Sequence, residues 1–200
     1  MEPILIYTDG ACSNNGYAGA CAGIGIFFGM NDARNVSEKI EGKQTNNVAE
    51  LLAIFEAGKI MKTELENKNI IHLYTDSQYA IRCVTTYGEK LEKKGWKNGS
   101  KVIPNLELVK KTYLLYKPYD TISFKYIKAH TSLKDKHSIG NDYADKLAQN
   151  AIKKKKIQKT NLTEDETSEE KKNNDNDTIL RKLKVMEIKL DEILNKINNL

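Results

Sequence analysis

The sequence predicts an α/β fold with a mixed sheet, and three observations carry that expectation. Residues 4–7 are a run of β-formers that leads into Asp9-Gly10, and residues 20–28 and 33–40 follow as strands joined by short turn-rich links. A helical stretch then precedes a second apolar run, residues 70–75, which also ends on an aspartate, Asp76. Hairpin-linked strands pair antiparallel, whereas a strand–helix–strand succession is the order of a parallel crossover.

The elements follow in order. After the first strand, Ser-Asn-Asn-Gly-Tyr-Ala-Gly is turn material, and residues 20–28 are rich in glycine. Gln44, Thr45, Asn46 and Asn47 offer capping side chains to a helix in which Leu51, Ile54, Gly58, Met61 and Leu65 recur at spacings of three and four. Residues 77–85 read as a short helix, 87–100 as a basic segment carrying the only tryptophan, 104–116 as a helix and 121–127 as an alternating strand. From 141 to 152, Ala144, Leu147, Ala148 and Ala151 give a helix with a small-residue face, suited to close packing.

Composition changes after residue 152, so the 200 residues divide into a domain at 1–152 and an appendage. Residues 153–177 combine a basic block with an acidic, polar one; their seven basic and seven acidic side chains cancel, and they have too little apolar surface to offset ordering entropy. They read as a disordered linker. In 178–200, Ile179, Leu183, Met186, Leu190, Ile193, Ile197 and Leu200 alternate in steps of four and three, the seam of a short coiled coil and a route to a homodimer. The alternative is an amphipathic helix that docks back on the domain.

The net charge of +5 allows a polyanionic partner without demanding one. Three cysteines, Cys12, Cys21 and Cys83, form no CxxC pair, and the opening Met-Glu-Pro-Ile has no signal-like pattern. These features point to reduced thiols in an intracellular protein, whether cytoplasmic, nuclear or virus-associated. No apolar run nears the roughly 18 residues that span a bilayer, which argues against a membrane role.

Four acidic residues stand in comparable settings: Asp9 and Asp76 at strand ends, Glu50 early in the first long helix, and Asp145 in the last helix. On its own Asp9-Gly10 reads equally as a turn. Adjacent parallel strands, however, bring two such carboxylates about 5 Å apart. Carboxylates that close repel, and one protonates unless a cation neutralises them; Mg²⁺ takes octahedral oxygen donors and leaves positions for water and phosphate. Paired ions of this kind support hydrolysis of a phosphodiester.

Thr-Asp-Gly-Ala-Cys-Ser-Asn-Asn-Gly, Gln-Thr-Asn-Asn-Val-Ala-Glu-Leu-Leu-Ala, Leu-Tyr-Thr-Asp-Ser-Gln-Tyr-Ala-Ile, Gly-Trp-Lys, Tyr-Ile-Lys-Ala-His and Gly-Asn-Asp-Tyr-Ala-Asp-Lys-Leu-Ala occur in this order over residues 8–148. Together they resemble the motifs of the type 1 ribonuclease H family, enzymes that cleave the RNA strand of RNA–DNA hybrids. The resemblance implies a mixed five-stranded sheet flanked by helices, two Mg²⁺ ions with Mn²⁺ as a substitute, and products ending in 3′-hydroxyl and 5′-phosphate. It puts Asp9, Glu50, Asp76 and Asp145 on the metal carboxylates and His130 on the catalytic histidine. Asp142 is a rival for the last carboxylate, but the motif matches only with Asp145 in place, and Asn141, a substrate-binding position on this resemblance, then lies one turn earlier on the same face.

The same resemblance gives the substrate contacts. Asn15, Asn46 and Asn47 fall on positions that meet RNA 2′-hydroxyls, the group that separates RNA from DNA. Lys43, Thr45 and Asn105 match a DNA-phosphate pocket, and Tyr79 with Tyr87 matches an aromatic channel. Lys90, Lys93, Lys94, Trp96 and Lys97 resemble a basic protrusion for nonspecific phosphate contacts, an ordinary solvated loop being the plain alternative. Departures are Asn14-Asn15-Gly16 in place of Asn-Pro-Gly, Tyr87 and Leu91 where tryptophans are common, and about five extra residues between His130 and Asp145. His72 reads as a strand residue and His137 as part of that long loop. A nucleic-acid-binding module with weak or no catalysis is the rival function.

Overall fold

The sheet has five strands in the order β3-β2-β1-β4-β5. The computed structural model describes residues 2–160 apart from His130 and Ser132, with side chains through Lys153. The heptad stretch and most of the expected linker lie outside the described residues, as does His130. Strands β1 (Ile4–Ser13), β2 (Cys21–Phe27) and β3 (Val36–Lys39) form the antiparallel half, and β4 (Ile71–Thr75) and β5 (Ile122–Tyr126) pair parallel, β4 beside β1. The mixed sheet is thus as expected from strand order.

Period-2 alternation assigns the two faces. Ile6 of β1 and Ala22, Ile24 and Ile26 of β2 enter the main core with Leu51, Ile54, Leu73 and Val109. Tyr7, Phe27 and Tyr74 point to the other face, where Ala144 and Leu147 meet them. Five helices join the first core, α1 (Asn46–Ile60), α2 (Lys62–Glu66) through Leu65, α3 (Gln78–Val84), α4 (Thr86–Lys93) and α5 (Leu106–Tyr116). Among the described residues, α6 (Lys136–Thr160) is the helix on the second.

Two helix boundaries differ from the sequence reading in informative ways. The first long helix pauses at Met61 (φ −90°, ψ 15°) and so divides into α1 and α2. The last begins at Lys136, five residues before the apolar pattern, because Asp135 caps it: its Oδ1 accepts from the amides of His137 (2.9 Å) and Ser138 (3.1 Å). Much of the supposed long loop is therefore helix. At its other end α6 takes in the basic run at 153–156, lysine being a good helix former. Helix α4 falls in the basic segment, where buried Gly88 and Leu91 offered too few apolar positions to reveal a period.

The glycine-rich β2 is what lets α6 lie flat. A Cβ on Gly25 would stand 2.0 Å from the Ala144 carbonyl oxygen, and one on Gly23 2.6 Å from the Ala151 Cβ. Ser37 Oγ also donates to the Leu147 carbonyl at 2.7 Å. Gly25→Ala is expected to cost about 3 kcal/mol in urea unfolding, because backbone opposes the new methyl and cannot yield cheaply. Gly29→Ala, with nothing within 4 Å, should unfold like the wild type. Among the described residues no helix is long and apolar enough to cross a membrane.

Candidate active site

Strand β1 runs on to Ser13, so Asp9-Gly10 is not a turn. The parallel pairing of β1 with β4 ends at Tyr7↔Tyr74, and Asp9 and Asp76 each stand two residues further on. The same register therefore brings them side by side at the end of the sheet. Glu50 arrives from α1, whose first turns lie directly on β1: a Cβ on Gly10 would sit 2.2 Å from the Glu50 amide nitrogen. That close approach needs glycine. Asp145 arrives on α6, in the turn seated against Gly25.

Asp9 is 7% exposed, and its Oδ1 accepts from the Gly10 amide at 2.7 Å. Burial pushes its pKa up to about 8, and the charges of Asp76, Asp145 and Glu50 push the same way. Of the two helix carboxylates, Asp145 is the one whose charge bears on Asp9, which favours it over Asp142. Glu50 is likewise raised, first by burial and then by Asp76, against a hydrogen bond from Ser77. All four predicted carboxylates thus belong to one electrostatic neighbourhood.

Neutral partners hold the outer members. Glu50 accepts from Asn46 Nδ2 (2.6 Å) and from Ser77 Oγ, and both oxygens of Asp145 accept from Gln149 Nε2 at 2.8 and 2.9 Å. Among the described residues no three acidic, histidine or cysteine side chains converge closely enough to grip a cation as they stand. The donor chemistry nonetheless fits a hard cation: four carboxylates, one of them driven towards its proton by burial and then by its neighbours, and each freed oxygen a ligand of the type Mg²⁺ takes. Asp9, Glu50, Asp76 and Asp145 are the residues that would hold it.

The polar contacts around this centre fall into two groups. Asn15 Oδ1 accepts from the Asn46 amide at 3.2 Å, joining two of the predicted 2′-hydroxyl readers, with Asn47 exposed beside them. The turn that presents Asn15 needs Asn14 at φ 51° and Gly16 at φ 85°, and asparagine and glycine are the residues that tolerate that left-handed region. In the second group Lys43 Nζ donates to Asn105 Oδ1 (3.0 Å) and Asn105 Nδ2 donates to the Tyr79 hydroxyl (3.0 Å). Thr45 Oγ1 caps α1 by accepting from the Val48 amide at 3.4 Å.

Several predicted contacts look different in place. The Tyr79 hydroxyl orients Asn105, so Tyr79 belongs with the Lys43 group as much as with an aromatic channel, and Tyr87 packs against the main core. Trp96 also packs there, edge-on to Tyr113 at 6.0 Å, while Lys90, Lys94 and Lys97 are exposed and Lys93 pairs with Glu89. Asn141 is 3% exposed with its Oδ1 unpartnered, so it faces inward from α6. Sequence reasoning gave no site role to Ser77, Gln149 or His137, the last read as a loop residue. Ser77 was legible as the N-cap of α3, accepting from the Ala80 amide at 3.1 Å, but its bond to Glu50 is a tertiary contact without a local signal.

The profile of the RNase H family matches residues 1–153. The chain belongs to that family. It is 35% identical to mouse ribonuclease H1 over 153 residues, 76% of this chain and 51% of that protein, and 37% identical to ribonuclease H of Wolbachia pipientis wMel over 76% of this chain and 96% of that protein. It spans about half the length of the mammalian relatives. Among solved structures, the RNase H domain of prototype foamy virus superposes with a TM-score of 0.58 at 23% identity, covering 74% of this chain and 93% of that one. At that identity the likeness concerns the fold. With 35–37% identity to ribonuclease H1 and ribonuclease H, the chain is of type 1.

Proposed function

We propose that this chain is an endonuclease that hydrolyses the RNA strand of RNA–DNA hybrids with divalent metal, two Mg²⁺ or Mn²⁺ ions, leaving 3′-hydroxyl and 5′-phosphate ends. The observation that carries the reading is the register that sets buried Asp9 beside Asp76, with Glu50 brought in by α1 against Gly10 and Asp145 by α6 against Gly25. Relatives named ribonuclease H and ribonuclease H1 support it.

Bound cations at these carboxylates would lower the pKa of a coordinated water and neutralise charge building on the phosphate. The chain's own residues do the rest. Asp9, Glu50, Asp76 and Asp145 supply oxygen donors; Ser77, Asn46 and Gln149 must release or share the oxygens they now hold. Asn15, Asn46 and Asn47 read the 2′-hydroxyl, and Lys43 with Thr45 and Asn105 holds a DNA phosphate. His130 positions or deprotonates the attacking water, or helps product to leave, all tasks for an imidazole near neutrality. Lys43→Ala is expected to weaken hybrid binding severalfold and to lower the salt slope by about one, as for one lost phosphate contact, read by fluorescence anisotropy across a salt series.

The deciding experiment incubates the protein with labelled RNA–DNA hybrid, duplex RNA and duplex DNA, with Mg²⁺ or with chelator. Metal-dependent loss of hybrid RNA alone is the expected result. Binding without cleavage would support the rival, a nucleic-acid-binding module. We further propose that two chains associate through the heptad pattern of 178–200, so that two domains share one long hybrid. Light scattering should give twice the monomer mass for the full chain and the monomer mass for residues 1–151; equal monomers would refute it.

A further inference from the structure

We propose that His137 is a positioning residue: its ring, clasped by Tyr7 and Tyr74, fixes the tilt of α6 and thereby the place of Asp145. The inference rests on the reading of Asp145 as part of the catalytic group.

The clasp is built in register with the site. Tyr7 and Tyr74 are a paired couple on β1 and β4, each two residues before Asp9 and Asp76, so both couples point to one face. The tyrosine rings stack at 5.3 Å, and both residues are buried, 3% and 9% exposed. His137 stacks on Tyr74 at 4.2 Å with 25° between the planes, and its Nδ1 is hydrogen-bonded to the Tyr7 hydroxyl at 3.1 Å. Nearly one turn on, Gly140 lies flush on the Tyr7 ring, where a Cβ would be 2.5 Å from it. Asp135 caps the same turn, its Oδ2 accepting from Ser138 Oγ at 2.6 Å.

A second support is needed because of how α6 is seated. Its middle is held on the sheet by Ala144, Ala148 and Ala151 against Gly23 and Gly25, by the Ser37–Leu147 hydrogen bond and by Tyr143 stacked on Phe27 at 4.8 Å, contacts that all lie beyond its first two turns and leave those turns freedom to tilt. Aromatic stacking and one hydrogen bond at His137, about 10 Å along the axis from Ala144, remove that freedom. Asp145 adjoins Ala144, and a displacement of about 1 Å in a catalytic group can cost up to a hundredfold in rate.

The test compares the full-length wild type with His137→Ala and His137→Phe, reading kcat and KM on an RNA–DNA hybrid and amide exchange in the first turns of α6. His137→Ala is expected to lower kcat about tenfold at unchanged KM and to lose about tenfold protection at residues 139–142. His137→Phe, which keeps the stack, should recover most of both. The proposal is overturned if His137→Ala keeps wild-type kcat, if protection is unchanged, or if His137→Phe is as impaired as His137→Ala. A wild type that leaves hybrid RNA intact would count against the ribonuclease reading alone; exchange would still decide whether His137 anchors the helix.

Discussion

Asp76→Asn is expected to lower kcat on an RNA–DNA hybrid by at least about a thousandfold while leaving hybrid affinity near that of the wild type. Asp76 ends the parallel pair with Asp9, and its charge weighs on both Asp9 and Glu50, so it sits centrally in the acidic group. Replacing it with a neutral amide of the same shape removes a charged donor where cations would neutralise a reacting phosphate, a loss of several kcal/mol. Binding should survive because the proposed grips have partners of their own, Asn15 with Asn46 and Lys43 with Asn105, which bonds Tyr79 in turn. Asp142→Asn is the matched control on the same helix as Asp145 and should retain activity. Single-turnover cleavage with saturating Mg²⁺, and anisotropy in chelator, separate the two effects; equal activity in Asp76→Asn and wild type would remove the basis for a carboxylate-held metal.

What the sequence made legible was set by how local each signal is. The order of strands and the crossover could be read because alternation and helical spacing are properties of consecutive residues, and Asp9 with Asp76 because strand order brings strand ends together; Glu50 and Asp145, on helices, were found through the family motifs. Leucine- and alanine-spaced helices were found, whereas α4, with Leu91 as its main apolar anchor, was not. The start of α6 was missed because its cause is a single side chain, Asp135, rather than a pattern. Contacts between distant elements were the least accessible. Nothing near Ser77, Gln149 or His137 in the chain announces that they meet Glu50, Asp145 and the Tyr7–Tyr74 pair; those meetings follow from α1, α3 and α6 being laid on the sheet, α1 through Gly10 and α6 through Gly23, Gly25 and Gly140. Glycines that read as loose strand composition turn out to be the places where helices approach the sheet.

That close packing has a price, and Asp9→Asn should expose it: in chelator at pH 8 the variant is expected to be more stable than the wild type, although inactive. The folded chain keeps the Asp9 proton up to about pH 8, whereas the unfolded chain releases it near 3.8. Between those values the folded state binds the extra proton. The contribution of this group is therefore complete below about pH 4 and declines as pH rises to about 8, by up to roughly 1.4 kcal/mol per unit, then levels off. The amide that replaces the carboxyl cannot titrate and removes that slope, leaving a smaller one of the same sign from Glu50, whose carboxyl is also raised. A cation competes with the proton for the same oxygens, so the melting temperature gained on adding Mg²⁺ should grow from pH 5 to pH 8 in the wild type and be much smaller in Asp9→Asn. Thermal melts at four pH values, with Mg²⁺ and with chelator, test all of this. Parallel pH slopes for wild type and variant in chelator would show that Asp9 ionises freely in the fold, and the case for a cation at that position would lose its electrostatic ground.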